Sequence, residues 1–360
     1  SAMKSIRCIA VTAALAIAGA GLAAVPASAV SVAPAATMSV IASEGPGDSL
    51  DFYYQVIGGT IWFSEQVAVQ GMAYSPPSVV QIGTQVVIAV EGPDHSLDFY
   101  WQTIGALLFP WRSQVVAGPG TTYSAPSMAK VGGSPVMAVT GPDQSLDFYS
   151  RPAGQITWRA QQVAGPGTTS YGPSLAQVHG SAVIAATGTD GSLDFYSRPD
   201  NIRQWKPQQV AGPGTTYYAP SVAQVAGSTV IAATGLQSTL DFYYQVIGTT
   251  TWNPEVAGAE GSSHAAPSIA QVGDSTVIAV AGPSSFGLSF FYQPIGTFKW
   301  YEEPVTGNQT TYSAPSIAQV GNSTVIAAQG YNRTLDFYWQ RIGTKPWHPE
   351  LVAGQGSTLG

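Results

Sequence analysis

The phrase Leu-Asp-Phe-Tyr begins at Leu50, Leu97, Leu146, Leu193, Leu240 and Leu335, and the variant Leu288-Ser289-Phe290-Phe291 fills the one gap in the series. A Trp follows each copy in step, at Trp62, Trp111, Trp158, Trp205, Trp252, Trp300 and Trp347. Seven copies of one unit, at a period of about 47 residues, must build seven like substructures. That constraint overrides the two ordinary domains that chain length alone would suggest.

Each unit reads Pro-Ser-x-Ala-Gln-Val, a Gly-containing turn, Thr-Val-Ile-Ala-Ala, a Gly-Pro-Asp-x-Ser turn, Leu-Asp-Phe-Tyr-x-Gln, an Ile-Gly-Thr turn, then Trp and Val-Ala-Gly-Pro-Gly-Thr-Thr-Tyr-Ser-Ala. Four short runs rich in β-branched and aromatic residues, bounded by Gly and Pro, predict four antiparallel strands. Four strands in roughly 40 to 50 residues is the pattern of a propeller blade. The expected architecture is all-β: one seven-bladed β-propeller over 30–360, with blades at 30–76, 77–125, 126–172, 173–219, 220–266, 267–314 and 315–360. Val30-Ser31-Val32-Ala33 aligns with Pro315-Ser316-Ile317-Ala318. It either opens the first blade or clasps the last, depending on which strand lies innermost.

Residues 1–29 belong to no blade and have the layout of an export signal. Lys4 and Arg7 precede an Ala-rich apolar stretch from Ile9 to Ala24, and Ala27-Ser28-Ala29 is a small-x-small cleavage site. Ser1-Ala2 before Met3 reads as a cloning remnant. Cleavage removes Cys8, the one cysteine, so no disulfide is expected in the ring. The expected product is secreted and extracellular. It carries 11 basic against 20 acidic residues, without a Lys/Arg cluster, which argues against nucleic acid as a partner. Its apolar runs are strand-length and broken by Gly and Pro, which argues against membrane insertion.

Chemistry is sparse. Leu and Phe of Leu-Asp-Phe-Tyr should face one neighbouring blade and Asp and Tyr the other, because side chains alternate along a strand. An Asp repeated in nearly every blade at a half-buried position reads as a structural hydrogen-bond acceptor. The Asp of the Gly-Pro-Asp turns reads as turn chemistry rather than a calcium ligand. His95, His179, His264 and His348 fall at unlike positions in four blades, so neither zinc nor another metal is expected. The one-off acidic residues Glu44, Glu65, Glu91, Glu255, Glu260, Glu302, Glu303 and Glu350 show no motif for hydrolysis, and no enzyme or cofactor is expected.

Aromatic surface set among small hydroxyl and amide residues is plentiful. That combination suits a pyranose, whose C–H face lies on a ring while its hydroxyls meet polar groups. Two rims can supply it. On one, the connections between blades carry Tyr74, Tyr123, Tyr217 and Tyr312, with Ser170, His264 and Leu359 at the equivalent positions. On the other, the residue after Leu-Asp-Phe-Tyr is Tyr54, Trp101, Ser150, Ser197, Tyr244, Tyr292 or Trp339. Gln or Arg follows it, and then the strand-opening Trp. Of those Trp residues, Trp111, Trp158, Trp205, Trp252, Trp300 and Trp347 are candidate sugar contacts as well as wedges between blades.

The run Val-Ile-Ala-Ala-Thr-Gly-Thr-Asp-Gly-Ser-Leu-Asp-Phe-Tyr at 183–196, with Trp205, Val210-Ala211-Gly212 and Ala219-Pro220-Ser221, resembles the seven-bladed β-propeller lectins typified by the Photorhabdus fucose-binding lectins. It is similar more loosely to tectonin-like repeats. The resemblance spans every repeat. It implies metal-free carbohydrate binding at several sites between adjacent blades, with fucose and related or methylated sugars as ligands. Near-identical copies, such as Val116–Tyr123 and Val210–Tyr217, independently favour several sites per ring. The alternative is a protein-binding propeller whose flat rim docks a partner or a second ring.

Overall fold

The computed structural model describes residues 38–104, 110–199, 203–282 and 287–359 in full, together with the backbone of 9–12. It contains seven four-stranded antiparallel sheets, each with its strands in sequence order from the axis outward. Blade 5 is representative: Ser221–Val225, Ser228–Thr234, Leu240–Gln245 and Asn253–Gly258. Contacts between the first strands of successive blades place those strands innermost, around a central channel. In the first blade the innermost position is held by Ile9–Thr12, paired with Met38–Gly45, within the stretch expected to be a leader. Val30-Ser31-Val32-Ala33 lies outside the described residues. The ring closes where the C-terminal segment meets blade 1, through the bond from the Leu359 N–H to the Glu44 carbonyl at 3.0 Å.

Neighbouring sheets converge toward the axis and diverge outward, so side-chain size must grow with radius. Second strands such as Ser181–Thr187 are buried along nearly their whole length by Val, Ile and Ala. The third strands fill the wider space with Leu, Phe and Tyr, and the Trp residues close the periphery. Alternation sorts them as expected. Leu97 and Phe99 pack with Met128, Met137 and Tyr149 of the next blade, whereas Tyr100 packs with Val40, Leu50 and Phe52 of the preceding one. Seven such clusters, each shared by two adjacent blades, form the core.

The Pro-Ser repeat has a specific task. Innermost strands are edges, with unpaired N–H groups that need acceptors. The hydroxyl oxygen of Ser78 accepts from the Met128 N–H at 3.1 Å, and Ser127, Ser174, Ser221 and Ser268 accept in the same way from Leu175, Val222, Ile269 and Ile317. Five repeats of that bond stitch blade to blade around the channel mouth.

The repeated Asp also proves structural. Asp98 accepts from the Ser96 hydroxyl at 3.1 Å, and its Oδ2 lies where a Cβ on Gly92 would come within 2.2 Å. Close approach, not backbone conformation, thus demands the Gly that opens each turn. Burial raises the carboxyls of Asp51, Asp98, Asp147, Asp194, Asp241 and Asp336 above their usual value, with the neighbouring Ser or Thr hydroxyl only partly offsetting it. These groups therefore hold protons more tightly in the folded ring than in the unfolded chain. Their contribution is fully present below the unfolded value of 3.8 and is lost as pH rises through the raised folded values. The melting temperature should accordingly rise as pH is lowered from neutrality toward 4, and rise less in Asp98→Asn. A scan showing a steady fall over that window would contradict this account.

Candidate functional site

The upper rim carries the connections between blades and the turns between second and third strands. Tyr74, Tyr123, Tyr217 and Tyr312 each donate a backbone N–H to the end of the next blade's second strand, at 2.8 to 3.1 Å. Ser170, His264 and Leu359 do the same at the other three positions. The backbone role is therefore common to all seven, whatever the side chain. The rings of Tyr74, Tyr123 and Tyr217 are exposed, and Tyr123 stacks on His95 at 4.4 Å. His95 in turn contacts the buried Glu91 carboxylate at 2.6 Å.

The lower rim carries the remaining turns, and grooves open there between adjacent blades. Each groove has an aromatic floor. The strand-opening Trp of one blade meets the Phe of the preceding blade edge-on, as in Phe52–Trp111 at 5.1 Å, Phe242–Trp300 at 5.0 Å and Trp62–Phe337 at 4.9 Å. Trp158, Trp205, Trp252 and Trp347 repeat the geometry on Phe99, Phe148, Phe195 and Phe290. All seven Trp residues are thus wedges. Tyr54, Trp101, Tyr244, Tyr292 and Trp339 stand partly exposed on the third strands beside this floor, where Tyr292 stacks on Tyr301 at 5.1 Å and Trp339 on His348 at 4.3 Å.

Sequence reading missed the polar half of the grooves. Glu65, Glu255, Glu303 and Glu350, far apart in the chain, all occupy the third position after the strand-opening Trp; the other blades have Gln114, Gln161 and Gln208 there. Aligning the repeats on Trp would have shown it. In the groove between blades 5 and 6, Glu255 Oε2 accepts from Gln293 Nε2 at 2.8 Å and from Trp300 Nε1 at 3.0 Å. Glu65 receives Gln102 and Trp111 between blades 1 and 2 in the same way, at 3.0 and 2.8 Å. Where blade 7 meets blade 1, Glu350 receives Gln55, Trp62 and Trp339, at 2.7, 2.9 and 2.8 Å. Between blades 6 and 7, Glu303 receives Gln340 at 3.4 Å and pairs with Lys345 at 3.0 Å, and among the described residues the Trp347 indole N–H has no hydrogen-bond partner.

Three of these grooves are open cavities of about 200, 380 and 550 Å³, at blades 5/6, 6/7 and 7/1. Their walls combine one carboxylate, an amide, a turn such as Gly58-Gly59-Thr60, and aromatic surface. A carboxylate held by two or three donors is fixed in direction and keeps lone pairs for further donors. The arrangement offers a directed acceptor beside an apolar plate, several times around one ring.

No protein-family model matches the chain, and no curated protein does. Solved structures do. The BP39L lectin from Burkholderia pseudomallei is 16% identical, with a TM-score of 0.77 over 89% of this chain and 95% of that one. A lectin from Aleuria aurantia, described as a six-bladed β-propeller with a novel fucose recognition mode, is 13% identical, with a TM-score of 0.57 over 91% and 95%. A mutant of the same lectin solved with α-methyl-L-fucoside is 14% identical, with a TM-score of 0.57 over 99% and 97%. What these proteins share with this chain is the propeller fold.

Proposed function

We propose that the protein is a secreted, multivalent lectin that binds fucose-type or related sugars in the grooves of the lower rim. The observation that carries the reading is the repeated pairing of a groove carboxylate with an aromatic wall, at blades 1/2, 5/6, 6/7 and 7/1. Sugar hydroxyls donate to such a carboxylate while the C–H face lies on the ring of Tyr244, Tyr292 or Trp339. The propeller lectins named above, one of them described with a fucose recognition mode and solved with a fucoside, support the same ligand class. Export rests on the charged start, apolar stretch and small-x-small site of residues 1–29, and cleavage after Ala29 would take Ile9–Thr12 off the inner edge of blade 1.

A single sugar binds at about millimolar strength, roughly 4 kcal/mol. Several grooves engaging one glycan-coated surface raise the apparent affinity about a hundredfold or more. On a broad glycan array the protein should bind fucosylated or methylated glycans, and free fucose should abolish the signal. Silence from folded protein would overturn the reading, and binding that free sugar leaves untouched would favour a protein-docking rim.

A further inference from the structure

Charge is unevenly distributed around the ring. Blades 3 and 4, residues 126–219, hold six Lys/Arg and five Asp/Glu, whereas 38–125 and 220–359 together hold five and fifteen. No Glu occurs between Glu91 and Glu255. The grooves along this arc are altered at two facing positions. Gln114 and Gln161 stand where four other blades have Glu, and Arg151 and Arg198 stand where the other five have Gln.

The Arg151 guanidinium lies 4.8 Å from the Phe99 ring and 5.1 Å from Trp158, and among the described residues it forms no ion pair. Burial lowers its pKa, with no neighbouring carboxylate acting to raise it. In the next groove Arg198 lies over Phe148 and Trp205, at 4.5 and 5.4 Å, and donates to Gln161 Oε1 at 3.2 Å. That bond takes the acceptor which, one groove earlier, Gln114 offers to Trp158 Nε1 at 3.3 Å. Trp205 is 6% exposed, and among the described residues its indole N–H has no hydrogen-bond partner. Of its counterparts, Trp62, Trp111 and Trp300 point that N–H at the groove carboxylate, while among the described residues Trp252 and Trp347 also leave theirs without a partner. A buried donor left without an acceptor is costly. An acceptor oxygen arriving with a ligand would satisfy it.

We propose that the grooves between blades 2 and 3 and between blades 3 and 4 bind the acidic group of a charged sugar, a carboxylate or sulfate. Arg151 and Arg198 supply the cation, and in the second groove the Trp205 indole supplies a further donor. The carboxylate grooves at blades 1/2, 5/6 and 7/1, by like-charge repulsion, exclude the same ligand. The ring's net negative charge does not forbid this, since the Debye length is only about 8 Å at physiological ionic strength and local charge dominates. The inference rests on the lectin reading and adds a second ligand class to it.

Calorimetric titration of the full chain and of Arg151→Gln/Arg198→Gln separates the two. Gln is native at this position in the other five blades, which makes the substitution compatible with folding. The probes are methyl glucuronide, N-acetylneuraminic acid, galactose 6-sulfate and fucose. We expect the acidic sugars to bind the unmodified protein, more weakly at higher salt, and to lose about tenfold or more in affinity in the variant. Fucose binding should be unchanged. A carboxylate and a sulfate that differ in affinity identify which acid the grooves select. Equal affinity of the acidic sugars for both proteins would overturn the proposal, as would unmodified protein that binds fucose but no acidic sugar. Protein that binds neither kind would overturn the lectin reading and this proposal with it.

Discussion

Leu146→Asp is expected to leave no folded ring. Leu146 is fully buried in the cluster that joins blades 3 and 4, against Leu175, Ile184, Tyr196 and Trp205. Removing its apolar side chain from that cluster costs about 2 to 5 kcal/mol in comparable cores. A buried carboxylate without a donor adds several kcal/mol more, or takes up a proton at a similar cost. The sum rivals the roughly 5 to 15 kcal/mol that holds an ordinary domain together. Because each cluster is shared by two blades, the damage cannot stay within one. Soluble expression and circular dichroism check this, with Leu146→Met, expected to cost less than about 1.5 kcal/mol, as the control. A folded, soluble Leu146→Asp ring with an unchanged melting temperature would show that the interblade clusters do not carry the stability assigned to them.

The second large effect is functional. Glu65→Gln/Glu255→Gln/Glu350→Gln should lower apparent affinity for a fucosylated surface about a hundredfold while the ring stays folded, with some loss of melting temperature because both oxygens of Glu350 receive donors and an amide accepts at only one. Gln is already present at this position in three blades, so the shape is tolerated. A Gln oxygen can still accept from Gln293 or Trp300, but the charge-assisted bond to a sugar hydroxyl is lost, along with about half its strength. Avidity multiplies the loss, because fewer grooves engage one surface. Replacing Tyr74, Tyr123, Tyr217 and Tyr312 together by Ala should leave affinity unchanged. The opposite pattern in surface plasmon resonance, with the tyrosines essential and the glutamates dispensable, would move the binding site to the upper rim.

The polar half of the candidate site was present in the sequence but hidden by the order in which residues are read. Glu65, Gln102 and Trp111 meet in one groove, although the glutamate belongs to one blade and its two donors to the next. Glu350 meets Gln55 and Trp62 from the far end of the chain. No local pattern places them together. The roles of Gly92 and Asp98, by contrast, were half legible: their joint recurrence signalled a structural pair, and only the carboxylate seated over the glycine explained why a Gly opens every turn that carries the Asp.

The sequence by itself determined the number of blades, four strands in each from the second blade on, and the alternation that turns Leu and Phe to one neighbour and Tyr to the other. Those features follow from backbone geometry and from a repeat that samples it again and again, so they are local. The tertiary structure alone decided which strand lines the channel, that serine hydroxyls stitch the inner edges together, and that grooves such as those at blades 1/2, 3/4, 5/6 and 7/1 join a carboxylate or amide of one blade to the amide or guanidinium of the next. These depend on how twisted sheets stack around an axis. That stacking sets distances between residues far apart in the chain, and no period within a strand encodes them.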